Sequence, residues 1–270
     1  MSNTIEKVAL VTGASRGIGA ATAQLLASSG YRVALVATSQ RDLEGVAGAI
    51  TAAGGYAQTI AGDLTDLNFA KQAIDRICAD WGRLDVLVNN AAWRELASMR
   101  RISIDSWNKT LQVCLTTPAF MARWAAEHME PNSRGVIINV SSVMSQQAAG
   151  ISPAYIASKG GLDALTYELA SLYGPSGIRV VSLQLGAVDT DLSRDVESQG
   201  ENGDEVRNYS KDMIMLGRWA TPEEAARVIL FLASEDATYI TGTSITVDGG
   251  WLHQHFPLSL KQRQFREDFR

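Results

Sequence analysis

A chain of 270 residues with 46% hydrophobic content suits one α/β domain, 1–270, with a large core. Its net charge of −5 argues against nucleic acid or an anionic membrane as partner. Two cysteines, Cys78 and Cys114, are too few for a disulfide framework and point to a reducing cytoplasm. The first seven residues lack the apolar core of a signal peptide. The longest uncharged stretch, 135–158, is interrupted by Asn139, Ser141, Ser142, Gln146, Gln147 and Pro153, so it does not read as a membrane span.

The first element is an apolar run at 8–11, read as a buried parallel strand, and a helix follows Gly19. Between them lies Thr12-Gly13-Ala-Ser15-Arg16-Gly17-Ile18-Gly19. Glycines at such a turn let backbone approach a phosphate, and the helix N-terminus offers free N–H groups with partial positive charge. The strand–turn–helix context favours a nucleotide site over a plain tight turn. A second strand, 31–37, ends in Ala37-Thr38-Ser39-Gln40-Arg41 with no acid. A carboxylate there would repel a 2′-phosphate, whereas hydroxyls with Arg16 or Arg41 would accept it. NADP(H) is therefore preferred, with NAD(H) possible. Ser39-x-x-Asp42 reads as a capping box for the next helix. A third strand, 56–61, leads into Gly62-Asp63-Leu64 and a helix over 64–81 that Asp63 could cap. The fourth, 86–88, runs into Asn89-Asn90-Ala91, and the fifth, 136–140, into Ser141-Ser142.

A helix over 153–173 sets Tyr155 and Lys159 one turn apart on one face. A nearby ammonium favours the phenolate over the phenol, so this tyrosine can give a proton to an alkoxide or take one from an alcohol. The same helix carries Leu162, Leu165, Leu169 and Leu172 as an apolar stripe, with Gly160 and Gly161 permitting close approach. After a sixth strand, 180–185, residues 191–215 are polar, acidic and weakly periodic. They sit where open α/β sheets bind ligands, and read as a substrate lid rather than a solvated insertion. A seventh strand, 244–247, precedes a tail, 252–270. His253 and His255 there lack further ligands, so no metal site is expected. Packing on a neighbouring subunit, or disorder, is the expectation for the tail.

Taken in order, Thr12-Gly13-x-x-x-Gly17-x-Gly19, Asn89-Asn90-Ala91, and Ser142 thirteen residues before Tyr155-x-x-x-Lys159 resemble the short-chain dehydrogenase/reductase family. The resemblance runs from about residue 7 to 251. With the alternation of strands and helices it implies a single-domain Rossmann fold, a doubly wound parallel seven-stranded sheet with helices on both faces. It implies a cofactor held by Gly13, Ser15, Arg16, Gly17, Ile18 and Gly19 at the glycine loop and by Thr38 and Ser39 after the second strand. Asp63 and Leu64 would meet the adenine, Asn89 and Ala91 the adenosine ribose, Val188 and Thr190 the nicotinamide amide and phosphates, and Tyr155 with Lys159 the nicotinamide end.

The implied chemistry is hydride transfer between nicotinamide and a carbonyl or secondary alcohol. Tyr155 is general acid or base, Lys159 supports it, and Ser142 holds the substrate oxygen. Trp93 and Met144, with Leu185, Met213 and Met215, are expected near the reacting carbon, and Arg94 could meet an acidic group. The family's fourth catalytic residue, an asparagine, falls at Cys114, which lacks an amide's hydrogen bonds but keeps the backbone carbonyl through which, the resemblance implies, that position partly acts. Ala92 and Leu185 also replace a usual glycine and proline. The leading reading is an NADP(H)-dependent carbonyl reductase or alcohol dehydrogenase for a small-molecule substrate, cytoplasmic and homotetrameric. A 3-oxoacyl thioester reductase or an NAD-dependent alcohol or polyol dehydrogenase is the alternative. A catalytically silent nucleotide-binding regulator is disfavoured by the intact Ser142, Tyr155 and Lys159.

Overall fold

Short β-branched runs alternating with helical segments pair as parallel strands because each crossover helix returns the chain to the same edge of the sheet. The computed structural model of the protein describes residues 6–197 and 203–269. Its strands are β1 (Val8–Thr12), β2 (Arg32–Ala37), β3 (Tyr56–Ala61), β4 (Val86–Asn89), β5 (Gly135–Ser142), β6 (Ile178–Leu185) and β7 (Thr243–Val247). They form one parallel sheet in the order β3-β2-β1-β4-β5-β6-β7. The order reverses between β1 and β4, and that switch point opens a crevice at the carboxyl ends of the strands.

Helices α1 (Gly17–Ser28), α2 (Gln40–Ala52) and α9 (Pro222–Ala233) cover one face. The other carries α3 (Leu67–Trp81), α5 (Thr117–Met129) and α6 (Pro153–Tyr173), with α4 (Ile104–Leu111) packed on α6. The strands supply both layers by alternation: Ala9 and Val11 join the first core, Val8 and Leu10 the second. Among the described residues no helix is long and apolar enough to cross a membrane.

Three local expectations change. The third helix starts later than 64, because Asp66 caps it by accepting Asn68 N–H at 2.8 Å, while Asp63 accepts Thr65 N–H at 2.9 Å in a preceding turn. The weakly periodic segment 191–215 holds two helices, α7 (Asp191–Glu197) and α8 (Gly203–Asp212); residues 198–202 lie outside the described part. Polar tertiary contacts hold α8, not an apolar stripe: Trp219 Nε1 donates to Ser210 Oγ at 2.8 Å, and Arg207 lies 4.5 Å from the Trp219 ring centroid. The tail, finally, folds back on its own chain. It forms α10 (Leu258–Gln264), and Ser259 donates both N–H and O–H to the Asp212 carboxylate at 2.6 and 2.7 Å.

Candidate active site

The turn between β1 and α1 is built for close approach. Gly13 and Gly17 have positive φ, 64° and 56°, which L-residues with side chains avoid. A Cβ on Gly13 would lie 2.9 Å from Ala91 Cα, and one on Gly19 2.2 Å from the Gly13 carbonyl oxygen. Thr12 and Asn90 stitch this loop to the end of β4. Thr12 Oγ1 accepts the N–H of Asn90 and Ala91 at 2.9 and 3.0 Å, and the Asn90 amide donates to Thr12 O at 2.8 Å and Gly13 O at 3.3 Å. The α1 N-terminus has no side-chain cap and no acid in its first turn, so its leading N–H groups suit a phosphate. These features fit a dinucleotide.

From this loop a cleft of about 600 Å³ runs along the carboxyl ends of the strands to Tyr155. Of the residues expected at the cofactor, Gly13, Ser15, Arg16, Gly17, Ile18, Thr38, Asp63, Leu64, Ala91, Val188 and Thr190 line it. Gly19, Ser39 and Asn89 do not. Gly19 packs beneath the loop, and the Ser39 hydroxyl accepts Asp42 N–H at 3.3 Å as the α2 cap. Asn89 turns into the core, where its amide donates to Asn139 Oδ1 at 2.9 Å and Pro118 O at 3.3 Å. Of the motif's two asparagines, Asn90 is the one that lines the cleft and laces the glycine loop. Strand alternation requires the two successive side chains to face opposite ways, but which of them meets the loop is set by packing.

Ser142, Tyr155 and Lys159 share the far end of the cleft with Trp93, Met144 and Leu185. Ser142 ends β5; its Oγ accepts Met144 N–H at 3.2 Å. Lys159 is 2% exposed, donates to Val140 O at 2.7 Å, and stands 5.4 Å from the Tyr155 ring centroid. The Val140 carbonyl thus satisfies part of the buried ammonium's hydrogen-bonding capacity. Asn139 continues the support, donating to Thr166 Oγ1 on α6 at 3.0 Å. Met213 and Met215 lie outside the cleft lining; Met215 sits against Gly250.

Cys114 is fully buried in a π-helical segment, Gln112–Thr116, between α4 and α5. Widened turns of this kind move carbonyls out of α register. Its sulfur bridges Trp93, accepting the N–H at 3.5 Å and donating to the carbonyl at 3.4 Å, so it also holds the segment that carries Trp93. Helices α7 and α8 form the remaining wall through Asp191, Leu192, Ser193, Val206 and Ser210. Asp189 clasps both helices, accepting from Arg194 at 3.1 Å and Arg207 at 2.9 Å. Burial pushes the Asp189 carboxyl up, but these two guanidinium bonds prevail and hold it below the usual carboxylate range.

Comparison with known proteins accords with this geometry. The family model described as enoyl-(acyl carrier protein) reductase matches residues 13–252. Cis-4-hydroxycyclohexanecarboxylate dehydrogenase of Sinomonas cyclohexanicum is 37% identical over 247 residues, 91% of this chain and 96% of that protein. A 3-oxoacyl-[acyl-carrier-protein] reductase of Thermotoga maritima is 32% identical over 244 residues, 90% of this chain and 97% of its own length. A Beutenbergia cavernae structure, provisionally assigned as an NAD(P)-dependent gluconate 5-dehydrogenase and solved with NADP at low occupancy, superposes with a TM-score of 0.85. It is 34% identical and covers 91% of this chain and 96% of its own. The chain belongs to the short-chain dehydrogenase/reductase family. It is an NAD(P)-dependent oxidoreductase acting on alcohol or carbonyl groups.

Proposed function

We propose that this enzyme is an NADP(H)-dependent carbonyl reductase or alcohol dehydrogenase for a small to medium substrate. The observation that carries the reading is that Ser142, Tyr155 and Lys159 line the same cleft as the glycine loop. When bound, the nicotinamide supplies or accepts the hydride. Tyr155 gives its phenolic proton to the oxygen that becomes the alcohol, and takes it back in the oxidising direction. The Ser142 hydroxyl donates to that same oxygen as charge develops on it. Lys159 sets a positive charge beside the ring that gives up the proton. Trp93 and Met144 supply apolar contact, and the helices of 191–215 act as a lid that excludes water.

A second reading, reduction of a 3-oxoacyl thioester, is favoured by similarity to the Thermotoga maritima reductase. Loss of NADPH absorbance with a panel of ketones, aldehydes and acyl thioesters separates the two. The reading fails if none of the panel is reduced and no alcohol reduces NADP⁺.

The NADP(H) preference rests on charge. No acid ends β2, where Ala37 and Thr38 line the cleft, and Arg16 and Arg41 line an adjoining depression with Ser15. Asp42 and Asp191 line that depression too, but Asp191 is already paired with Arg194 at 3.1 Å. Opposed like charges cost several kcal/mol, so Ala37→Asp should shift the NADPH-to-NADH ratio of kcat/KM at least roughly tenfold toward NADH. A wild-type enzyme that already uses NADH more efficiently would refute the charge argument.

The reading also takes 1–270 as one domain, active as a cytoplasmic homotetramer. Leu162 and Leu169 of the apolar stripe are spent on the core of the subunit, whereas Leu172, at 60% exposure, and Tyr167 on α6, with Phe120 on α5, remain outside. Those three are the surface that supports assembly.

A further inference from the structure

Arg94 stands in the same cleft with no part in the proton or hydride steps. Its guanidinium lies over the Tyr155 ring, with Cζ 5.3 Å from the centroid, and Nη1 meets the Met144 sulfur at 3.4 Å. Nε is buried and, among the described residues, donates to no protein atom. Among the described residues Arg94 forms no ion pair. A guanidinium keeps its charge and carries five N–H donors, and a thioether and a ring face use little of that capacity. Lys109, 4.6 Å from the Trp93 ring centroid, adds a second cation to this wall. The acids that line the cleft are elsewhere: Asp63 follows β3, and Asp191 faces Arg194. A half-buried, unpaired cation costs free energy that an arriving anion would recover.

The geometry points to Arg94 as the receptor for a substrate carboxylate, so the preferred substrates are small oxo acids and the matching hydroxy acids. This rests on the oxidoreductase reading above. The planar fork of the guanidinium matches a carboxylate with two parallel N–H···O bonds. Its seat over the ring of the proton-donating tyrosine sets the acid group and the reacting carbonyl within the length of one small molecule. Trp93 and Met144, which line the same cleft, supply apolar surface for the carbon skeleton that joins the two groups.

The test compares 4-oxocyclohexanecarboxylate and 4-oxopentanoate with their carboxamides, alongside neutral ketones, using NADPH and the full-length enzyme. Wild type should prefer each acid by roughly 10- to 100-fold in kcat/KM, the scale of one charge-assisted hydrogen bond, with the effect mainly in KM. Arg94→Met should bring the acid-to-amide ratio close to one, and Arg94→Lys should restore part of it. Should Arg94→Met not fold, wild type alone decides: cyclohexanecarboxylate should inhibit competitively at concentrations where cyclohexanecarboxamide does not. Turnover of neutral ketones without preference for the acids, or a ratio that survives Arg94→Met, overturns the carboxylate receptor and leaves the oxidoreductase reading standing. No turnover of any carbonyl overturns both.

Discussion

Tyr155→Phe is expected to lower turnover by roughly 10²–10⁴-fold, the range that a positioned acid–base group contributes. The phenol is the proton donor proposed for the cleft, and phenylalanine keeps its ring, so contacts with Arg94 and Lys159 survive. NADPH binding, followed by fluorescence titration, should change little, because the glycine loop and Lys159 remain. Cys114→Ala should cost far less, since that side chain only bridges the Trp93 backbone through weak sulfur hydrogen bonds. A Tyr155→Phe enzyme with near-normal turnover, beside a dead Cys114→Ala, would make the thiol the chemical participant and end the scheme.

Gly19→Ala is expected to weaken NADPH binding by roughly 5- to 150-fold, the equivalent of about 1–3 kcal/mol of overpacking. The new Cβ would sit 2.2 Å from the Gly13 carbonyl oxygen and 2.7 Å from the Asn90 amide nitrogen. Neither neighbour can retreat freely: one is loop backbone, and the other is held by hydrogen bonds to Thr12 and Gly13. Gly48→Ala is the matched control. It lies in α2, a Cβ there meets nothing within 4 Å, and it should stabilise the fold by about 0.5–1 kcal/mol. Isothermal titration and thermal melts of the two variants give both numbers. Tight NADPH binding by Gly19→Ala would show that the loop does not depend on that approach.

The sequence by itself determined the architecture. Every expected strand is present within a few residues; the inner ones read most directly, because a parallel strand buried on both faces is continuously apolar, whereas the edge strands β3 and β7 are mixed and only partly buried. The i, i+4 spacing likewise puts Tyr155 and Lys159 on one face with no help from tertiary contacts. Other features were beyond its reach. Helix α8 buries only Ser210 and leaves its apolar Val206 and Tyr209 exposed, so no core-facing stripe marks it; Trp219 and the tail hold it from outside. Asn90 rather than Asn89 lacing the glycine loop, and Leu162 and Leu169 facing the core rather than a partner, depend on how strands and helices rotate when packed. Arg94 over the Tyr155 ring joins residues sixty-one positions apart, on a loop after β4 and on α6. Local pattern encodes which element forms, since backbone geometry and burial repeat within a few residues. Which side chains meet across the crevice was decided only when the sheet brought its carboxyl ends together.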